Sequence, residues 1–177
     1  MFPNLQKIEY PKTSTFLTNS ILAFIGAYLD YKLDSFYLFP ILFSIGTPLI
    51  NLKGNFWKKL KLTFVIAISI TSIILLTIGF SFAFGLILIP VLLTGFAGSL
   101  SLWIFSLTIE KVKPPFLIYL ITFILCLAPL VVTEQHLNQA IFPKEVSLRI
   151  AVLWSWSLIV SLGVSFSINP RSSLSTD

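Results

Sequence analysis

Ionisable side chains relay protons, hold metals and activate nucleophiles, and in this chain they stand only at the edges of the long apolar tracts. The one histidine is His136 and the one cysteine is Cys126. No His-Glu-x-x-His ligand pair, Gly-x-Ser-x-Gly elbow, P-loop or dinucleotide glycine pattern occurs. Ser99, in its Gly-Ser-Leu-Ser setting, has no neighbouring base that would make it a nucleophile. Charged groups inside a bilayer are costly and mark ion or proton pathways. Their absence from the middle of every tract argues against a proton relay, a buried metal site and a voltage sensor. Neither a catalytic residue nor a cofactor is expected, and the enzyme reading is disfavoured. Cys126, alone, cannot form an intramolecular disulfide and says nothing of redox compartment.

The remaining chemistry is that of amides, hydroxyls and indoles. Asn19, Thr71, Ser99, Trp154 and Ser157 are the candidate ligand-binding residues, because they are the polar or aromatic groups facing the interior of apolar segments. Trp154 and Trp156 compete with a simpler role as interfacial anchors, the role assigned to Trp57 and Trp103. Asp30 and Asp34 could form a carboxylate pair for a cation; the favoured expectation is that Asp34 caps the helix that follows it. Glu134–Phe142 has the spacing of a short helix lying on the membrane surface.

These residues are carried by a chain of 177 residues that is 56% hydrophobic and only 11% charged, against about 25% in soluble domains. Five uncharged tracts of 17, 18, 48, 20 and 21 residues hold 70% of it. That pattern excludes a soluble fold, a disordered tail and a nucleic-acid binder, and it identifies an integral membrane protein. About 20 apolar residues cross a hydrocarbon core, so the tract of 48 holds two helices with a turn at Gly79–Gly85. The expected fold is an all-α polytopic bundle forming one transmembrane domain over residues 1–177. Its six spans lie near 14–30, 34–51, 61–79, 85–109, 115–133 and 147–169. A re-entrant hairpin competes for the first two.

Short cytoplasmic loops are enriched in Lys and Arg. With both termini inside, nine of the basic residues face the cytoplasm and three (Lys32, Lys144 and Arg149) face out, so both termini are expected to be cytoplasmic. The same asymmetry accounts for the net charge of +5. Lys53, Lys58, Lys59 and Lys61 are the densest contact for anionic headgroups, beside Phe56 and Trp57. The amino-terminal segment does not read as a cleavable signal, and no lipidation pattern is present. A bacterial inner membrane is the expected location.

Helices in lipid associate through small and polar residues. Four such stripes are visible: Asn19, Ala23 and Ala27; Thr63, Ala67 and Thr71; Gly95 and Ser99, flanked by Ala97 and Gly98; and Ser157, Ser161 and Ser165. All are expected to face the bundle interior. Pro40, Pro48, Pro90 and Pro129 interrupt spans and free backbone carbonyls that hydroxyls or water must meet. Six short-looped helices without a coupling charge suit a small transporter or a substrate-binding membrane subunit. The alternative is an assembly subunit of a larger membrane complex, with a partner membrane subunit packed against it.

Overall fold

The computed structural model describes residues 11–35, 37–51, 55–84, 88–136 and 144–168. They form six α-helices: α1 (Pro11–Lys32), α2 (Leu38–Asn51), α3 (Phe56–Phe84), α4 (Leu88–Thr108), α5 (Phe116–His136) and α6 (Lys144–Ser167). Each helix packs against the next in sequence, and α6 returns to α1, so the six close a ring. A further contact between α4 and α6 crosses the ring and leaves α5 in the groove outside that pair.

Three segments are long and apolar enough to cross a membrane: Phe56–Thr77, Val91–Thr108 and Ile150–Ser167. Leu38–Asn51 and Phe116–Pro129 are apolar but shorter. The outward surfaces agree with a helical membrane protein. Leu49, Phe64, Leu76, Leu107, Phe116, Leu117 and Phe166 all lie more than half exposed, an apolar area that water would not tolerate.

Helix boundaries depart from the sequence expectation where local chemistry intervenes. The helix α3 runs through Gly79 to Phe84 instead of turning at Gly79. A glycine inside a helix costs about 1 kcal/mol, less than leaving backbone groups unbonded in a lipid environment. With 29 residues, α3 is about 43 Å long. By contrast α2 has 14 residues and reaches only about 21 Å. Pro40 lies in the first turn of α2 and Pro90 in the first turn of α4, where no N–H is missed, so neither interrupts a helix. Pro48 and Pro129 are the interior prolines. Glu134, Gln135 and His136 continue α5 and do not begin a surface helix; the rest of the Glu134–Phe142 segment lies outside the described residues.

The start of α2 is capped by Asp30, a role the sequence reading gave to Asp34. Asp30 sits buried at the end of α1, where its two carboxylate oxygens accept the N–H groups of Leu38 and Phe39, both at 2.9 Å, and the hydroxyl of Ser35. Asp34 takes a left-handed backbone conformation (φ 48°) in the intervening turn and is exposed. The turn therefore reverses the chain at Asp34 and brings the start of α2 back to Asp30. A carboxylate so surrounded by donors serves the backbone of α2.

At the other end of the bundle, Val112 pairs with Ile168 in an antiparallel bridge, and the N–H of Lys113 donates to the Ser167 carbonyl at 2.9 Å. This places the α4–α5 turn beside the end of α6. The end of α2 lies there too, since Asn51 bonds Thr15 near the start of α1. We call this the lower end, and the α1–α2 turn marks the upper end.

Candidate functional site

The centre of the bundle is aromatic. Phe39 and Phe43 of α2 stack at 5.9 Å, and both rings meet Trp156 of α6, at 6.3 Å and 5.8 Å. Phe105 of α4 adds an edge to Phe43 at 5.9 Å. Side chains on a helix lean toward its amino terminus, which lets Phe105 reach up from the lower part of α4. Trp156 is only 4% exposed, and its indole N–H donates to the Thr94 carbonyl at 3.1 Å. It is a core residue, so the anchor reading does not hold for it. Trp154, 38% exposed, lies edge-on to Phe24 of α1 at 5.5 Å.

Hydroxyls join α4 to α5. Thr94 donates to the Cys126 carbonyl at 3.0 Å, and Ser99 to the Tyr119 carbonyl at 3.1 Å. The Cys126 carbonyl lies just before Pro129, whose missing N–H disturbs this part of the α5 ladder. The small stripe of α4 is used in the same contact. A Cβ on Gly95 would lie 2.7 Å from Leu127, and one on Gly98 would lie 2.5 Å from the Cys126 sulfur.

The α1–α2 pair is built differently. Two glycines let the backbones approach. A Cβ on Gly26 would lie 2.7 Å from the Cα of Phe39, and one on Gly46 would overlap Asn19 Oδ1. Below that crossing the two helices carry the same polar spacing. Thr15 and Asn19 share one face of α1, and Thr47 and Asn51 share one face of α2. Because the helices run antiparallel, each asparagine reaches the other helix's threonine. Asn19 Nδ2 donates to Thr47 Oγ1 at 2.7 Å, and Asn51 Nδ2 donates to Thr15 Oγ1 at 2.8 Å. All four residues are buried.

Five buried polar atoms among the described residues have no hydrogen-bond partner: Asn19 Oδ1, Asn51 Oδ1, Ser101 Oγ, Ser161 Oγ and Ser165 Oγ. All five belong to residues within about 12 Å, along the helix axes, of the lower helix ends. An unmet buried polar atom costs about 1–3 kcal/mol. Five together approach the roughly 5–15 kcal/mol by which a whole domain is stable. No cluster of three or more His, Cys, Asp or Glu side chains occurs among the described residues.

The five candidates from sequence lie on four helices. Asn19 belongs to the α1–α2 polar seam. Ser157 is buried on α6, which packs against α1, and donates to the Trp154 carbonyl at 2.6 Å. Trp154 meets the outer side of α1, Ser99 is engaged with α5, and Thr71 is half-buried on α3, which packs against α2 and α4. Sequence reasoning passed over Thr15, Thr47, Asn51 and Ser101. The first three had a visible signal: Thr-x-x-x-Asn occurs twice, on the two arms of one predicted hairpin. No protein-family model matches the chain, no curated protein matches it, and no solved structure matches it.

Proposed function

We propose that the chain is a small multi-pass transporter, or the substrate-binding membrane subunit of one, that handles a solute without an ion-coupling charge of its own. In this reading all six helices cross a bacterial inner membrane and both termini face the cytoplasm. The observation that carries it is the set of five buried, unpartnered polar atoms gathered at the lower end of an otherwise apolar bundle. Polar atoms at such depth are retained where they meet a solute or a water path.

The excess of Lys and Arg at the lower end supports the orientation. Lys58 and Lys61 are exposed at the start of α3, next to the exposed Phe56 and Trp57, and suit contact with anionic headgroups. The α1–α2 hairpin returns the chain to its starting side whether the short α2 crosses fully or enters part way, so the orientation of α3 to α6 does not depend on it.

Purification in mild detergent followed by mass spectrometry tests the reading. A retained small molecule is the expected result. A stoichiometric protein partner with no small molecule would favour an assembly subunit instead. Orientation is read separately, by labelling single cysteines placed in the α2–α3 and α5–α6 connections of a Cys126→Ala chain. The first should react from the cytoplasmic side and the second from the opposite side.

A further inference from the structure

The start of α3 holds its side chains in an ordered arrangement. Asn55 stands just before the helix, where its Oδ1 accepts the Lys58 N–H at 3.2 Å and its carbonyl accepts the Lys59 N–H at 3.3 Å. The rings of Phe56 and Trp57 meet edge to face at 5.8 Å. Lys58 and Lys61 therefore belong to two regular helical turns and not to a loose connection.

The two sides of α3 are distinct. Ile66, Ala67, Ile70 and Ile74 are buried against the bundle. Trp57, Lys61, Phe64 and Ile68 recur at helical spacing and form one stripe on the opposite side, with Lys58 and Val65 beside it. All six are exposed, Phe64 by 65% and Ile68 by 51%. Lys58 and Lys61 are three residues apart, which puts their Cβ atoms about 5–6 Å from each other. Leu75, also exposed, continues the stripe to about 21 Å from Lys61 along the axis. That exceeds one leaflet's half of a hydrocarbon core of roughly 30 Å. No Asp or Glu occurs in α3. Among the described residues the only acidic one at the lower end is Glu110, on the α4–α5 turn.

We propose that this stripe binds one anionic phospholipid of the leaflet that the lower end faces, as a resident site distinct from a general field of positive charge. The phosphate lies between the Lys58 and Lys61 ammonium groups, and Trp57 stands beside it at the membrane–water boundary. An acyl chain follows Phe64, Ile68 and Leu75. Other occupants fit these residues less well. A soluble acidic peptide would meet the lysines and leave the apolar track uncovered. A second copy packed in parallel would set lysine against lysine at the same height. The inference rests on the headgroup contact proposed above and is independent of transport.

Quenching of tryptophan fluorescence by brominated lipids tests this, with the full chain in vesicles containing brominated phosphatidylglycerol or brominated phosphatidylcholine. The Trp57 signal is the difference between the parent and Trp57→Phe. Phosphatidylglycerol should be favoured at Trp57 by roughly tenfold over phosphatidylcholine. Lys58→Gln/Lys61→Gln should abolish the preference, and Lys58→Arg/Lys61→Arg should retain it. Lys113→Gln, on the α4–α5 connection, should leave it unchanged. Equal quenching by the two lipids overturns the site and leaves the headgroup contact standing. A preference that survives Lys58→Gln/Lys61→Gln, or that Lys113→Gln lowers as much, does the same. Quenching of Trp57 by neither lipid would mean that a second copy or another chain covers this face, and overturns the headgroup contact as well.

Discussion

Around Trp156 and the α1–α2 turn, buried polar groups are met by backbone. Asp30 receives two N–H groups and a hydroxyl, and the Trp156 indole finds the Thr94 carbonyl. Nearer the lower end, Asn51, Ser161 and Ser165 keep polar atoms with no partner. Both layers belong to the same helices and are equally buried, so depth does not separate them. What separates them is how their sequence pairs across the interface. The upper layer matches aromatic faces to one another and acceptors to donors. The lower layer leaves one amide oxygen and two hydroxyls without partners.

Substitutions can break that contrast or sharpen it. Phe43→Ala, which removes a ring shared by α2, α4 and α6, should cost about 3–5 kcal/mol, measured as reversible unfolding in mild detergent. Asp30→Ala leaves the Leu38 and Phe39 N–H groups and the Ser35 hydroxyl without this acceptor, and should cost about 2–3 kcal/mol in the same assay. Gly46→Ala forces a methyl onto Asn19 Oδ1 and should cost about 1–3 kcal/mol. The double variant Gly46→Ala/Asn19→Ala should recover part of that loss, a non-additivity that a thermodynamic cycle reads directly. The smallest effect belongs to the lower layer. Ser161→Ala/Ser165→Ala should leave stability within about 0.5 kcal/mol of the parent, or raise it, because no bond is lost. A loss as large as that of Asp30→Ala would mean that these hydroxyls are bonded after all, and the contrast would fail.

Much of the architecture was legible in the residues. The uncharged tracts marked the six helices in order, because charge avoids apolar surroundings regardless of packing detail. Interior stripes were legible too: Ala23, Ala27, Ala67, Ser157, Ser161 and Ser165 are all buried. The errors share one cause, which is that capping and turn geometry depend on where the chain comes back in space. Asp34 is nearer in sequence to the start of α2, yet it is Asp30 that accepts the Leu38 and Phe39 N–H groups, because the left-handed residue at 34 swings the helix start toward the end of α1. Pro40 and Pro90 looked like kinks only because the helix starts were placed too early. Trp156 resembled its neighbour Trp154, but two residues apart on a helix point in different directions, one to the core and one to the surface. The polar seam went unnoticed because Asn51 stood at the very end of its span.

The crossed asparagine–threonine pairs carry one more consequence, for how the first hairpin finds its alignment. Sliding α1 by a full turn against α2 would set amide opposite amide or hydroxyl opposite hydroxyl, and would lose both crossed bonds together. The glycine contacts would be displaced by the same slip. A slipped alignment therefore gives up both crossed bonds and the close glycine contacts at once, which favours the native setting, the way two matched teeth favour one position of a key.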